Sequence, residues 1–333
     1  MCPRDDEEAV FSSTEDRIRA RQAIVARLRP SIVLRDTSPN LGRVWFHRIA
    51  ESLFSVLFPS DCRICAEPLL NISRLPVCPD CLASIHPVRG KICSICGERV
   101  LSSYTELDDD GLRRCPVCRR VDRPFGRAVA YGSYDGGLRE LVHLLKYNGV
   151  RPAAKVLGRM LAEAMVALEP SFDEAGLFDQ GSIAVIPVPL YKSRRRERGF
   201  NQAELIARAA LKFYPERERM QLVPDLLLRT RDTHSQIGLT SHQRRENLRG
   251  AFAVAREAEV SGREVLLVDD VYTTGTTVTE CARVLRRAGT RQVWVATVAR
   301  TLKLASKYVD DQPVEDGEEG FKVSEFQGFE VGA

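Results

Sequence analysis

The sequence lacks any run of about 18 uncharged apolar residues, the length a membrane-spanning helix needs, so no such helix is expected. It also lacks the basic and then apolar start of a secretory signal, because its first residues, MCPRDDEE, are rich in acidic side chains. We therefore expect a cytoplasmic protein. Only Cys2 and Cys281 among the 10 cysteines lie outside Cys-x-x-Cys pairs. In a reducing compartment such pairs indicate metal ligands rather than disulfides.

Charge is distributed unevenly along the chain. Residues 182–300 hold 21 lysines and arginines against 13 acidic residues, a net charge of +8. Residues 301–333 hold 3 against 8, a net charge of −5. A basic region ahead of an acidic tail is typical of proteins with an anionic ligand, such as a phosphorylated small molecule or a nucleic-acid backbone. Taken alone, however, the charge is better explained by a solvated basic surface.

Composition divides the chain into five parts. Residues 1–43 are charged and broken by prolines, so we expect a disordered extension. Residues 44–58, VWFHRIAESLFSVLF, have the apolar spacing of an amphipathic helix. Residues 59–124 carry the cysteine pairs, residues 125–302 form the main domain, and the acidic tail 303–333 is expected to be disordered.

Strand-like and helix-like segments alternate through the main domain. Strands are predicted at 128–134, 182–188, 264–268 and 292–299, and helices at 137–147, 152–168, 201–213 and 278–287. Strands separated by helices imply parallel pairing through right-handed crossovers. The expected fold class is therefore α/β, a parallel sheet with helices on both faces.

The strongest chemical signal directly follows the predicted strand 264–268. Two adjacent carboxylates, Asp269 and Asp270, precede a loop and a helix. Backbone N–H groups at the start of that helix can wrap a phosphate, and these belong to Thr273, Thr274, Gly275, Thr276 and Thr277. Two carboxylates beside a phosphate are costly unless they bind ribose hydroxyls, with or without Mg²⁺. Ordinary helix capping is the alternative, but it requires only one such residue.

This segment resembles the phosphoribosyl pyrophosphate (PRPP) motif of type I phosphoribosyltransferases. Apolar residues 265–268 are followed by Asp269 and Asp270, four variable residues, Gly275 and Thr276. The resemblance implies that the two aspartates hold the ribose hydroxyls and act in catalysis. It also implies that residues 273–277 hold the 5-phosphate and that Mg²⁺ accompanies PRPP.

Other segments resemble the ComF family of competence-associated proteins. They are YDGGLR at 134–139 with Lys146 and Tyr147, IPVPL at 186–190, RRERGFNQ at 195–202, and scattered positions between Arg231 and Phe252. The cysteine pairs fit as well, and the resemblance covers about residues 55–302. It implies a phosphoribosyltransferase-like domain behind a double zinc ribbon. It further implies a role in DNA uptake during natural transformation, together with DNA-uptake proteins.

An arginine cluster follows the predicted strand 182–188. Its guanidinium groups suit phosphate oxygens, and we assign Arg194, Arg195 and Arg198 to the phosphate-binding set. The same cluster suits a single-stranded DNA backbone, with Tyr191 and Phe200 available for stacking, or is simply a solvated loop. Residues 231–249 show no strong secondary-structure pattern and suggest a mobile lid. We leave its histidines, His234 and His242, out of the site.

Eight cysteines form four pairs in the sequence, each with two residues between the two cysteines. Two such pairs complete a closed Zn²⁺ site with four thiolate ligands. Sequential pairing gives two structural zinc ions, one bound by Cys62, Cys65, Cys78 and Cys81 and the other by Cys93, Cys96, Cys115 and Cys118. Interleaved pairing is the alternative. A redox dithiol would not require four pairs, and the spacing fits an iron–sulfur cluster less well.

Two functions fit these observations. The first is a phosphoribosyltransferase, which displaces pyrophosphate from PRPP toward an acceptor that the sequence does not define. The second is a non-catalytic module on the same scaffold, which binds single-stranded DNA or a partner protein. An intact phosphate loop favours a phosphoribosyl ligand in both cases.

Overall fold

A computed structural model describes residues 61–69, 73–100, 111–174, 182–233 and 240–302 of the chain. The predicted extension 1–43, the predicted helix 44–58 and the acidic tail 303–333 lie outside these residues. Within the part described, no helix is long and apolar enough to cross a membrane.

The described residues contain a five-stranded, all-parallel sheet. Its strands are β1 Arg127–Ser133, β2 Ile183–Pro187, β3 Met220–Leu222, β6 Glu264–Tyr272 and β7 Gln292–Arg300, and they lie side by side in the order β1-β7-β6-β2-β3. A small antiparallel pair consists of β4 Leu227–Arg229 and β5 Phe252–Val254. The central strands are buried along almost their whole length, as expected for a parallel sheet covered on both faces.

Nine α-helices lie within the described residues. They are α1 Pro79–Ala83, α2 Pro116–Arg120, α3 Gly136–Lys146, α4 Ala153–Val166, α5 Glu169–Glu174, α6 Lys192–Arg198, α7 Gln202–Ala210, α8 Ser241–Leu248 and α9 Thr276–Arg287. The longer ones carry apolar side chains at helical spacing, and in α3 these are Leu138, Leu141, Val142, Leu144 and Leu145. The strands and helices predicted in the main domain are all present, with ends shifted by a few residues.

Two apolar cores lie on opposite faces of the sheet. Side chains alternate along β6, so that Leu266 and Val268 join one core while Val265 and Leu267 join the other. Helices α3, α4 and α7 cover the first face, and α9 covers the second. The predicted α/β class, a parallel sheet with helices on both faces, is confirmed.

The cysteine-bearing segment packs on the same body and covers the outer edge of β1. The backbone N–H of Val88 donates to the carbonyl of Tyr131 at 2.7 Å, and that of Ala128 donates to the carbonyl of Ile95 at 2.7 Å. An edge strand otherwise exposes unpaired backbone groups. The segment therefore also closes this edge of the sheet.

The structure corrects two sequence-based expectations about polar segments. Residues 192–198, interpreted as a loop, form α6, in which no residue is buried. Residues 231–249, interpreted as lacking secondary structure, contain α8, which begins with a capping box between Thr240 and Gln243. Hydrophobic periodicity does not detect such helices because they bury almost no apolar side chain.

Candidate functional site

The chain reverses its direction of winding between β2 and β6. From β2 the chain leads through α7 to β3 on one side, and from β6 it leads through α9 to β7 on the other side. In open parallel sheets, ligands bind in the crevice beyond the carboxyl ends of two such strands. Both segments singled out from the sequence, residues 269–277 and the arginine cluster after β2, lie at this crevice.

The two predicted aspartates lie on β6, which extends past the predicted end at 268 as far as Tyr272. Asp270 is almost fully buried, and its Oδ2 lies 2.7 Å from the Nζ of Lys146 at the end of α3. Burial alone would lower the pKa of Lys146, but the carboxylates of Asp270 and Asp269 outweigh it and raise that pKa. Lys146 therefore stays cationic and supplies the counter-charge of a buried carboxylate.

Asp269 lies beside this pair without a salt bridge of its own among the described residues. Its Oδ1 accepts a hydrogen bond from the backbone N–H of Asp270 at 2.9 Å. Burial and the neighbouring charge of Asp270 raise the pKa of Asp269 to about 7, although Lys146 opposes the shift. The raised pKa shows that the charge of Asp269 lacks a full counter-charge, so a bound cation or hydrogen bonds from ribose hydroxyls would stabilise its charged form.

The loop between β6 and α9 depends on the glycine at its centre. Gly275 has a φ of +74° and is the N-cap of α9. A Cβ at this position would lie 2.2 Å from the hydroxyl of Tyr272, so both the backbone conformation and the packing exclude a side chain. The hydroxyl groups of Thr274 and Thr276 form a hydrogen bond, with their Oγ1 atoms 2.7 Å apart. The loop is thus held in a tight turn with its N–H groups at the start of a twelve-residue helix.

The predicted arginines separate into different surroundings. Arg195 lies 3.7 Å from both Glu204 and Asp225. The guanidinium of Arg198 lies over the ring of Tyr147, 5.7 Å from its centroid. Arg194 lies near Arg229, and burial together with the charge of Arg194 lowers the pKa of Arg229. Arg194 is thus within electrostatic range of a second cation, Arg229 at the end of β4.

Three residues outside the predicted set belong to this region. Lys146 binds Asp270 as described. The charge of Asp269 acts on Arg229 and opposes the lowering of its pKa. Arg244, on α8, donates from Nη1 to Thr273 Oγ1 at 3.5 Å. The sequence signal for two of them was the resemblance to the ComF family, which includes Lys146 and, among the scattered positions between Arg231 and Phe252, Arg244. Arg229 had no signal because its position follows from the β4–β5 pairing.

The eight paired cysteines form two groups, and the sulfur atoms within each lie within 4.8 Å of one another. Cys62, Cys65, Cys78 and Cys81 make one group, and Cys93, Cys96, Cys115 and Cys118 make the other. The structure therefore favours sequential pairing over interleaved pairing. Sulfur–sulfur distances of 3.8 Å and 3.7 Å match the spacing of about 3.8 Å expected around tetrahedral Zn²⁺. The donor sets fit closed structural zinc sites.

Local backbone geometry repeats in the two cysteine groups. Each first pair is followed by a residue in the left-handed region, Ala66 at φ +62° and Gly97 at φ +70°. In each second pair a proline follows the first cysteine and starts a short helix, α1 or α2. Burial would raise the pKa of Cys62, but backbone N–H groups of Cys65, Cys78 and Ile64 lower it, whereas burial and the other three sulfurs raise the pKa of Cys81. Such N–H groups favour the thiolate, which is the form that binds zinc.

Comparison with known proteins identifies the family. The sequence profile of the phosphoribosyl transferase domain matches residues 226–332. The DNA utilization protein YhgH of Escherichia coli O157:H7 is 33% identical over 217 residues, 63% of this chain and 91% of that protein. Competence protein F of Haemophilus influenzae is 30% identical over 235 residues, 67% of this chain and 96% of that protein. The chain belongs to the ComF family.

More distant comparisons agree with the ComF assignment or add nothing to it. Competence protein ComFC of Bacillus subtilis is 25% identical over 222 residues, 64% of this chain and 79% of that protein. A solved structure of the allosteric regulatory enzyme of purine biosynthesis matches 44% of this chain and 26% of its own, at 23% identity. Its TM-score of 0.26 is too low to support any statement about the site.

Proposed function

We propose that this ComF family protein binds Mg–PRPP in the crevice between β2 and β6 and acts in DNA uptake. The observation that carries the proposal is the meeting of two features at the switch point of the sheet. One is the turn at Gly275, with N–H groups at the start of α9, and the other is the adjacent pair Asp269 and Asp270. The role in DNA uptake is supported by relatives named for competence and DNA utilization.

Each part of the crevice has a defined task in this proposal. The N–H groups of residues 273–277 bind the 5-phosphate, whose charge the N-terminus of α9 favours. Asp269 accepts hydrogen bonds from the ribose hydroxyls or coordinates the ligand's Mg²⁺, while Lys146 holds Asp270 in place. Arg194 and Arg229 offset the charge of the pyrophosphate group.

The proposed chemistry is a displacement at C1 of the ribose. The bond from C1 to the pyrophosphate oxygen breaks, that oxygen keeps the electron pair, and a bond forms from C1 to an acceptor nucleophile. Positive charge develops on the ribose ring, which favours carboxylates near it. The acceptor is left open because no base-reading or amine-reading pocket is defined among the described residues.

The first test is a calorimetric titration of Mg–PRPP into the zinc-loaded full chain. Micromolar binding is expected for the wild type, and its loss is expected for the double variant Asp269→Asn, Asp270→Asn. Glu218→Gln is the control, because this exposed carboxylate lies just before the amino end of β3, away from the crevice. A well-folded wild type that shows no binding heat would refute the PRPP proposal.

Affinity for Mg–PRPP is expected to depend on pH through Asp269. Its pKa of about 7 in the free protein means that it is largely protonated below pH 7. Binding to the charged form must then release a proton, so affinity should fall by about tenfold per pH unit as pH drops from 7 to 5. Titrations in two buffers of different ionisation enthalpy measure the released proton, after subtraction of the ligand's own protonation. Affinity that is flat over this range would contradict the assigned role of Asp269.

A second candidate function is binding of single-stranded DNA without turnover. It is favoured by Tyr147, which is 65% exposed and lies beneath Arg198, and by Arg151, which lies over Phe200. The exposed ring of Tyr147, with the cation of Arg198 over it, is suited to stacking a base and contacting a phosphate, whereas the ring of Phe200 is half-buried. This function predicts binding that weakens steeply with salt and is unaffected by changes at Asp269 or Asp270.

A further inference from the structure

The second cysteine group lies in direct contact with the last residue of β7. Arg300, which is only 4% exposed, donates from Nη1 to the carbonyl oxygen of Cys96. Its Nη2 lies 3.7 Å from Cys96 Sγ and 2.9 Å from Glu98 Oε2. A buried guanidinium therefore holds both the backbone and the sulfur of one proposed zinc ligand.

The same guanidinium also supports the phosphate loop. Arg300 lies over the ring of Tyr272, 4.4 Å from the ring centroid. Tyr272 is buried, and its hydroxyl packs directly against Gly275 at the centre of the loop. The hydroxyl has no hydrogen-bond partner among the described residues, so packing on Arg300 and Gly275 is what positions the ring. Three consecutive contacts thus connect Cys96 to the loop.

A second connection runs parallel to the first. Arg123 donates from Nη1 to Thr279 Oγ1 at 3.2 Å, in the first turn of α9. Its positive charge lies within electrostatic reach of Cys118 and Tyr272. Both paths therefore start at the second cysteine group and end at the loop or at the helix that follows it.

Charge explains why metal occupancy matters for these arginines. Four thiolates around Zn²⁺ carry a net charge of −2, which Arg300 and Arg123 help to neutralise. Without the ion, the four sulfurs are no longer held together, and a buried guanidinium loses part of its partner set. Glu98 remains the ion-pair partner of Arg300, so what the guanidinium loses is the charge of the metal-bound sulfurs beside Cys96. On these contacts, the position of Arg300, and with it that of the Tyr272 ring, is expected to change when the ion leaves.

We propose that Arg300 is a positioning residue that couples metal occupancy of the second cysteine group to the order of the phosphate loop. Its effect on the loop itself does not require the proposed function, whereas its effect on ligand affinity rests on that function. Coupling of binding free energies is reciprocal, so Mg–PRPP bound at the loop should in turn raise the affinity for the second zinc, and slower zinc release would report this.

The first cysteine group offers an internal comparison. It packs through Ile85 and Ile64 against Gly137, at the start of α3, on the opposite face of the sheet. The contacts described for it do not include Tyr272, Gly275 or α9. Hydrogen exchange of the amides around the first group therefore measures the folding of the cysteine-bearing segment and is independent of the order of the loop.

The test compares wild type, Arg300→Met and Arg300→Lys as zinc-loaded full chains. Hydrogen exchange measures the amides of residues 272–279, and a chromogenic chelator measures release of the two zinc ions. Partners that orient a metal ligand typically contribute about 10- to 100-fold in metal affinity. In Arg300→Met we expect one zinc to leave about tenfold faster or more, with faster exchange at 272–279 and unchanged exchange at 61–69. Arg300→Lys keeps the positive charge but not the planar guanidinium, so its rates of zinc release and amide exchange should lie between those of the wild type and Arg300→Met.

The decisive readout is the response of zinc release to Mg–PRPP. The ligand should slow release of one zinc in the wild type and leave release unchanged in Arg300→Met. A merely structural role for Arg300 would preserve this response at lower stability, which would overturn the proposal. Unchanged exchange at 272–279 in Arg300→Met would overturn it as well. Should the wild type bind no PRPP, the proposed function fails, and hydrogen exchange after zinc removal then decides the coupling. Loss of one zinc should speed exchange at 272–279 in the wild type and have little further effect in Arg300→Met.

Discussion

Replacing Lys146 with methionine is expected to lower the free energy of unfolding by about 3 kcal/mol, because it leaves the carboxylate of Asp270 buried without its cation. The two side chains are 17% and 6% exposed, and their charged atoms lie 2.7 Å apart. Methionine keeps most of the apolar stem of lysine, so lost packing contributes little. Urea unfolding followed by circular dichroism in zinc-containing buffer measures the change.

Two further variants separate the charge pair from general packing. The double variant Lys146→Met, Asp270→Asn removes both charges and should recover most of the lost stability, a coupling that a double-mutant cycle measures. Lys155→Met changes an exposed lysine on α4 and should alter stability by less than about 0.5 kcal/mol. A single variant Lys146→Met as stable as the wild type would show that the carboxylate does not depend on this cation.

Gly275→Ala is expected to destabilise the protein by about 3 kcal/mol and to weaken Mg–PRPP binding by more than about tenfold. Part of the loss, about 1 kcal/mol, comes from placing a Cβ at a φ of +74°. The remainder comes from the contact with Tyr272, because an added Cβ would lie 2.2 Å from its hydroxyl and 2.4 Å from its Cζ. The aromatic ring cannot give way freely, since Arg300 lies over it at 4.4 Å.

Gly262→Ala is the matched control for this variant. Gly262 has nearly the same φ, +71°, but an added Cβ there meets nothing within 4 Å. It should therefore lose about 1 kcal/mol and bind Mg–PRPP normally. Urea unfolding and calorimetric titration of both variants measure the difference. Equal losses of stability in the two variants would mean that the packing of Tyr272 against the loop is unimportant.

The sequence alone was sufficient for features that are encoded locally. Alternating strand and helix patterns predicted the α/β sheet, because each buried strand and each amphipathic helix carries its own periodicity. The turn at Gly275 was likewise readable, since two carboxylates, a glycine and several threonines occur together. Two-residue spacing marked all eight cysteines that form the two groups.

The short polar helices α6 and α8 were not predicted from the sequence, for a physical reason. In α6 no residue is buried, and in α8 the residue described as buried is Leu248, so neither helix shows an apolar stripe. For α8 a usable signal existed in the capping box of Thr240 and Gln243, a pattern that does not rely on burial. The end of β6 was also missed, because Asp269 and Asp270 look like loop residues until pairing with β7 places them in a strand.

Only the tertiary structure decided which distant residues meet. Lys146 reaches Asp270 because α3 packs so that its last turn lies at the carboxyl end of β6, which no local pattern specifies. Arg300 meets Cys96, 204 positions away in sequence, because the cysteine-bearing segment closes the edge of the sheet. Sequential pairing of the cysteines was settled in the same way. Motifs such as the phosphate loop and the cysteine pairs consist of residues that are close in sequence, whereas the partners of buried charges depend on how helices and strands pack.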